Sequence, residues 1–187
     1  KEREIDNEFI YCLARLNMLP ELETFLNSFN SADISSTGDR LFSESYYEAA
    51  RLLYTKLKSN SKIAACLLKL NDFPQAVEFA KKANNVKTWK SILYTCVIEK
   101  EFRLAFVAGQ NLVVIPDHLE ETVFLYELYD AADEVIYLLE QMVLNEKVHL
   151  AIFTELATLY AKYREEKLFD FIKVYISKLN VVKMERE

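Results

Sequence analysis

Apolar residues recur at steps of three and four along almost the whole chain, which is the spacing of one face of an α-helix. Short polar breaks, such as Asn71-Asp72 and Asn84-Asn85, separate these stretches. The stripes that this spacing predicts to be buried include Ile63/Cys66/Leu67, Ile92/Leu93/Cys96, Phe124/Leu125/Leu128 and Ile152/Phe153/Leu156. The pattern predicts about eleven or twelve helices of roughly 8 to 16 residues. It also predicts one long irregular stretch, at about residues 27–38.

A second pattern repeats roughly every 30 residues. An apolar or aromatic residue begins a predicted helix, and small or apolar residues follow three and six positions later. The copies are Leu19/Leu22/Phe25, Tyr47/Ala50/Leu53, Phe73/Ala76/Phe79 and Phe102/Ala105/Ala108, with looser copies at Ala132/Val135/Leu138 and Leu168/Phe171/Val174. Two helices of about a dozen residues and two tight turns fill that length. Small residues let neighbouring helices approach closely.

The repeat favours an all-α fold, an α-solenoid (superhelix) of stacked antiparallel helix hairpins. We expect residues 1–187 to form a single solenoid segment of about five to six hairpin units. A compact helical bundle is the alternative, because an amphipathic stripe alone does not distinguish the two.

Composition supports this class. The 187 residues include only 2 Gly and 3 Pro, fewer than turn-rich β folds use. The net charge of −6 argues against nucleic-acid binding, and no apolar run reaches the length of about 18 residues that spans a bilayer. Three widely spaced cysteines indicate reduced thiols of an intracellular protein. The chain starts with Lys1, so we expect a piece of a longer chain.

Motifs for catalysis are missing from the sequence. It contains no HExxH, GxGxxG, GxxxxGK[ST] or GxSxG. Glu146-x-x-His149 has the spacing of a di-iron half-site, but no second copy accompanies it. Cys66 and Cys96 lie in apolar stripes, which predicts inert core thiols. We therefore expect neither an enzyme nor a metal or other cofactor, and a helical enzyme or metal protein is the disfavoured alternative.

One local feature suggests binding. Four lysines and the only tryptophan of the chain fall within residues 80–90. The candidate partner-binding residues are Lys81, Lys82, Lys87, Trp89 and Lys90. A basic strip beside an aromatic residue could receive an acidic amphipathic helix. The simpler interpretation is an ordinary polar turn with Trp89 buried.

Several stretches of the chain are similar to one known family, in that family's order and with nearly its spacing. They are EFIYCLA (8–14), LETF (22–25), GDR (38–40), YEAARLLY (47–54), KAN (82–84), TWK (88–90), KEFRLA (100–105) and HLAIFTELATLY (149–160). By these stretches, which extend over essentially its whole length, the chain resembles the clathrin heavy-chain family.

The resemblance implies a structural scaffold without enzyme activity. Three heavy chains of that family join at a hub, and their helical legs pack side by side into a cage on the cytosolic face of coated vesicles and coated pits. The resemblance places this stretch in the proximal leg, as a fragment of a longer leg, with other heavy-chain legs and the acidic clathrin light chain as its partners. It implies no nucleic-acid partner and no direct membrane insertion. The alternative is a helical-repeat subunit of a vacuolar-sorting or membrane-tethering complex.

Overall fold

A computed structural model describes residues 2–145 and 148–180 of the chain. Over these residues it contains twelve α-helices, one short 3-10 helix and no strand, so the all-α prediction is confirmed. The α-helices are α1 (Glu2–Arg15), α2 (Leu19–Asn27), α3 (Ile34–Ser43), α4 (Tyr47–Lys56), α5 (Asn60–Lys69), α6 (Phe73–Ala83), α7 (Val86–Ile98), α8 (Phe102–Val113), α9 (Pro116–Leu128), α10 (Ala132–Val143), α11 (Ala151–Tyr163) and α12 (Glu165–Tyr175). None of the described helices is long and apolar enough to cross a bilayer.

The chain divides into two compact units, residues Lys1–Ile92 and Leu93–Glu187. In the first unit, α1 packs on α2 and α3, α2 and α3 both pack on α4, and α4 to α6 pack each on the next. In the second unit, α8 packs on α9 and α10, α9 and α10 both pack on α11, and α11 packs on α12. Contacts between helices close in sequence are the packing mode of an α-solenoid. The predicted fold class is therefore confirmed.

The predicted 30-residue repeat coincides with helix starts. Five of its opening residues are the first residues of α2, α4, α6, α8 and α10: Leu19, Tyr47, Phe73, Phe102 and Ala132. The sixth, Leu168, lies inside α12. The residue three positions later is buried in every copy: Leu22, Ala50, Ala76, Ala105, Val135 and Phe171. Since most of these are small or medium-sized, they allow the second helix of each hairpin to lie close to its neighbours.

Seven of the described helices are followed by a left-handed residue that is not glycine. Six of these residues have φ angles of 54° to 69° and share one hydrogen-bonding motif: Asn17, Ser45, Lys58, Asn71, Lys100 and Asp130. At Lys100, the N–H donates to the carbonyl of Val97 at 3.2 Å, and the N–H of Glu101 donates to the carbonyl of Cys96 at 2.8 Å. This pair of hydrogen bonds is the Schellman motif, and the same pair recurs at the other five positions. The polar breaks seen in the sequence include several of these left-handed turns.

The predicted irregular stretch at residues 27–38 is too long. The structure places α3 from Ile34 onward, because the side chain of Asp33 accepts a hydrogen bond from the backbone N–H of Ser36 at 3.2 Å and caps the helix. Gly38 is therefore a buried helical residue rather than part of a turn.

The prediction for α9 is wrong in its choice of face. The apolar spacing predicts Phe124 and Leu128 in a buried stripe, yet they are 63% and 59% exposed. The helix buries Leu119, Val123 and Tyr126 instead. Apolar residues recur at helical spacing on both sides of α9, and only the neighbouring helices determine which side is covered.

Candidate partner-binding surface

The five candidate residues lie on both sides of the turn between α6 and α7. Lys81 and Lys82 belong to the last turn of α6, whereas Lys87, Trp89 and Lys90 belong to the beginning of α7. All of them lie in the first unit. Cations at the C-terminal end of a helix interact favourably with its dipole. Lys81 and Lys82 therefore stabilise α6 at these positions whether or not a partner is bound.

Two asparagines hold this turn in place. Asn84 adopts the left-handed conformation (φ 45°), and its N–H donates to the carbonyl of Ala80 at 2.9 Å. The side-chain oxygen of Asn85 accepts hydrogen bonds from the backbone N–H and the hydroxyl of Thr88, at 2.8 and 2.9 Å. The amide of Asn85 also donates to the hydroxyl of Ser61 on α5 at 2.7 Å. The turn is thus hydrogen-bonded to a neighbouring helix, which fixes the backbone that carries the lysines.

Lys81 and Lys82 are exposed and make local contacts. The ammonium group of Lys81 lies 2.7 Å from a carboxylate oxygen of Glu78. The ammonium group of Lys82 lies 4.7 Å from the centre of the Phe79 ring. An exposed pair of this kind contributes only about 0–1 kcal/mol to stability. A carboxylate of a partner could therefore compete for either lysine at little cost.

Lys87 borders a shallow cavity of about 270 Å³ between α5 and α7. Leu68 and other α5 residues line the cavity, and so does Lys62, whose ammonium group lies 2.5 Å from the Asp39 carboxylate. Lys87 itself is exposed, and Lys90 is half-buried. Lys87 is consequently the strip lysine placed best to contact a side chain that enters this cavity.

Trp89 is not on the surface. The side chain is only 4% exposed, and its indole N–H is buried without a hydrogen-bond partner among the described residues. The structure therefore gives Trp89 a packing position, as in the simpler of the two interpretations. The exposed strip consists of lysines, and their binding to a partner stays a prediction.

His149 contacts the backbone of another helix. Its Nε2 lies 2.7 Å from the backbone carbonyl of Val113. Glu146, which would complete the di-iron spacing, lies outside the described residues. Within the part of the chain that the structure describes, no group of three or more His, Cys, Asp and Glu side chains is arranged to hold a metal ion.

The cysteines differ in their surroundings. Burial raises the pKa of the Cys66 thiol to about 12 and that of the Cys96 thiol to about 11. Both thiols therefore stay protonated at neutral pH and are poor nucleophiles. Cys12, by contrast, is exposed on α1.

Sequence reasoning missed a groove in the second unit. The groove lies between α9 and α11 and has a volume of about 610 Å³. Its lining residues are Glu120, Val123, Phe124, Glu127, Glu155, Thr158, Leu159, Ala161 and Lys162. The signal for it in the sequence is the second apolar spacing on α9, which the helical pattern predicts to be core.

Helix hairpins that pack on their neighbours in the chain define a segment of an α-solenoid. The family model described as "Clathrin: Region in Clathrin and VPS" matches residues 1–104, more than half of the chain. The chain belongs to this family, and the resemblance noted in the sequence is confirmed.

The chain is similar to clathrin heavy chains from distant organisms. It is 47% identical over 184 residues to the clathrin heavy chain of Dictyostelium discoideum, a match that covers 98% of this chain. It is 42% identical to clathrin heavy chain 1 of Arabidopsis thaliana and 36% identical to clathrin heavy chain 2 of Homo sapiens, each over 186 residues and 100% of this chain. In all three cases the chain spans 11% of the relative's own length.

Proposed function

We propose that this chain is part of the structural scaffold of a clathrin coat. It acts there as one α-solenoid segment of a longer leg, packs with other heavy-chain legs, and supports vesicle formation and intracellular transport on the cytosolic face of coated pits and vesicles. The observation that carries this proposal is the similarity to clathrin heavy chains, which extends over 98–100% of the chain. A leg that packs with other legs makes contacts along its length. Similarity along the whole segment is consistent with such contacts.

The finer proposal concerns the place of the segment and its partner. It belongs to the proximal leg and binds the central helix of the clathrin light chain through the lysine strip, Lys81, Lys82, Lys87 and Lys90. The acidic character expected of the light chain complements these lysines in an otherwise acidic chain. Trp89 contributes to this surface only as a packed residue of α7, because only 4% of it is exposed.

A sorting or tethering subunit is the second candidate. The family description itself includes VPS proteins beside clathrin, and such subunits would share the solenoid. Relatives at 36–47% identity over nearly the whole chain are heavy chains, which favours the coat.

The light-chain proposal is tested by titration calorimetry of the 187-residue chain with the light chain's central helix, at about 50 and about 300 mM salt. We expect saturable 1:1 binding that weakens at the higher salt concentration. Lys87→Glu should weaken it by about tenfold. Lys69→Glu is the matched control, since Lys69 is an exposed lysine of α5 outside the strip. Trp89→Ala is unsuitable, because truncation of a buried side chain lowers stability by itself.

Binding that survives Lys87→Glu would refute the strip and leave the coat role intact. If the chain shows no binding, the titration is repeated with the following repeat of a heavy chain appended. Absence of binding in that titration would refute the light-chain proposal. The coat role has its own test: a Dictyostelium heavy chain in which this chain replaces the matching 184 residues should still assemble into cages. A folded chimera that does not assemble would contradict it.

A further inference from the structure

Two shallow cavities of nearly equal size lie on either side of the turn between α4 and α5. The first cavity, of about 260 Å³, lies between α2 and α4, and its lining includes Leu26, Leu52, Lys56 and Lys58. The second is the cavity of about 270 Å³ between α5 and α7, which Lys87 borders. Both cavities belong to the first unit. The first cavity therefore lies one hairpin before the one that the lysine strip borders.

Contacts between helix ends join the two cavities into one edge of this unit. The ammonium group of Lys56, at the end of α4, donates to the side-chain oxygen of Asn27, at the end of α2, at 3.1 Å. Lys58 lines the first cavity, and Ser61, at the start of α5, lines the second. The hydroxyl of Ser61 accepts the hydrogen bond from Asn85 in the turn between α6 and α7. The ends of α2, α4 and α6 and the starts of α5 and α7 therefore form a continuous edge.

Each cavity combines an apolar wall with an exposed lysine at its rim. Leu52 lies in the wall of the first cavity, and Leu68 lies in the wall of the second. Lys58 at the first cavity and Lys87 at the second are exposed. Leu57, beside Lys58, is 43% exposed and adds apolar surface to the turn. A surface of this composition suits an amphipathic helix that carries large apolar side chains and charged ones.

The edge has an excess of positive charge, although the chain as a whole carries −6. Two lysines and one carboxyl group, that of Glu23, line the first cavity. At the second cavity Lys62 is already paired with Asp39, which leaves the charge of Lys87. Charge complementarity therefore selects an acidic occupant over a basic one.

We propose that one acidic amphipathic helix of a partner occupies both cavities, with a large apolar side chain in each and carboxylates beside Lys58 and Lys87. This inference rests on the partner-binding part of the proposed function, since it extends the lysine strip to Lys56 and Lys58. A helix of about 18 residues is about 27 Å long, whereas neighbouring helices pack about 8–10 Å apart. Such a helix is therefore long enough to cross both hairpins.

The probe is a fluorescein-labelled helical peptide of about 18 residues, the Glu peptide, with Leu on one face and Glu on the other. A second peptide has Gln at every Glu position, and a third has Ser at every Leu position. Fluorescence anisotropy with the 187-residue chain should show binding of the Glu peptide that is about tenfold tighter than binding of either other peptide. In ¹H–¹⁵N spectra of the chain, a nitroxide at one end of the Glu peptide should broaden the amide signals of residues 55–59. A nitroxide at its other end should broaden those of residues 85–91.

Three charge reversals separate this inference from the light-chain proposal. Lys58→Glu and Lys87→Glu should each weaken binding of the Glu peptide by about tenfold. Lys69→Glu is the matched control and should not, since Lys69 is an exposed lysine in the last turn of α5. Because all three positions are exposed, we expect the variants to fold, and circular dichroism melts verify this. A peptide of about nine residues is too short for both cavities and should respond to one of the first two reversals only.

The outcomes distinguish the two proposals. An effect of Lys87→Glu alone would overturn this inference and leave the lysine strip in place, whereas an effect of neither Lys58→Glu nor Lys87→Glu would overturn both. If the Glu peptide behaves as expected and the light-chain helix does not bind, the light-chain proposal fails and this one stands. Equal binding of the Glu and Gln peptides would overturn this inference. So would self-association in sedimentation velocity that Lys58→Glu abolishes, because the occupant would then be a second copy of this chain.

Discussion

The ring of Tyr54 on α4 fills the space next to Gly38 on α3. A Cβ atom added to Gly38 would lie 2.9 Å from Cε1 of Tyr54, closer than a side-chain carbon tolerates. The hydroxyl of Tyr54 donates to the carboxylate of Asp39, at 2.6 Å, so the ring is held from its other end as well. Glycine at position 38 therefore sets the distance between the two helices.

Gly38→Ala should lower the free energy of unfolding by up to about 2 kcal/mol. Overpacking of a well-packed contact costs about 1–3 kcal/mol, and the better helix propensity of alanine returns up to about 1 kcal/mol. Urea denaturation followed by circular dichroism measures the difference. Ser36→Ala, at an exposed position of the same helix, is the control and should be neutral or slightly stabilising.

The same contact can be tested from its other side. If the clash with the ring is the cause, the cost of the alanine should shrink in a Tyr54→Leu background. An undiminished cost in that background would refute the explanation.

Lys100→Gly should raise the free energy of unfolding by about 0.5–1 kcal/mol. Lys100 has a φ of 59° in its Schellman turn, and this left-handed conformation costs a residue with a Cβ about 1–2 kcal/mol. The greater freedom of glycine in the unfolded chain offsets part of the gain. Lys69→Gly, in the last turn of α5, should have the opposite sign, since that position is helical. Thermal and urea unfolding of both variants check the prediction, and a change of the same sign in both would contradict it.

A single thiol of the native chain should react quickly with Ellman's reagent at about pH 8. Cys12 is exposed, whereas burial raises the pKa of Cys96 to about 11, so only about 0.1% of that thiol would be ionised at this pH. All three thiols should react after unfolding in guanidinium chloride. Cys12→Ser should abolish the fast phase, and a fast phase in that variant would show that a buried thiol is accessible.

Glu140→Gln should lower the free energy of unfolding by about 1 kcal/mol at about pH 7, with a smaller effect at about pH 3. Burial raises the pKa of Glu140, but hydrogen bonds from Lys167 and Tyr160, both 2.7 Å long, outweigh it and lower that pKa. A lowered pKa stabilises the folded chain above the carboxyl's unfolded pKa, and this stabilisation is lost as the pH falls through the folded value.

Urea denaturation at the two pH values measures this effect. Glu23→Gln is the control, since Glu23 is exposed on α2, and it should change stability by less than about 0.5 kcal/mol at either pH. A cost for Glu140→Gln that is independent of pH would argue against the ion pair as its origin.

The helix starts were predictable because the signals for them are local. Phe73 begins α6 as the repeat indicates, and the preceding Asp72 caps the helix by accepting a hydrogen bond from the N–H of Gln75 at 3.2 Å. Pro74 fits the first turn, where its missing N–H has no role. Such contacts join residues within four positions, so the sequence carries them directly.

The candidate site was predictable only in part. Four lysines within ten residues indicated a basic surface, and the structure leaves Lys81, Lys82 and Lys87 exposed. The burial of Trp89 is the simpler of the two interpretations that the sequence allows, because a tryptophan at helical spacing is buried more often than exposed.

By itself, the sequence determined the all-α class, the spacing of the hairpins and the family. These follow from short-range spacing and from residue identities along the chain. Only the tertiary structure decided that Gly38 lies against a tyrosine ring, that Trp89 is packed, and that α9 leaves Phe124 exposed. Burial depends on residues far apart in the chain, and a helix with two apolar faces does not itself specify which one its neighbours cover.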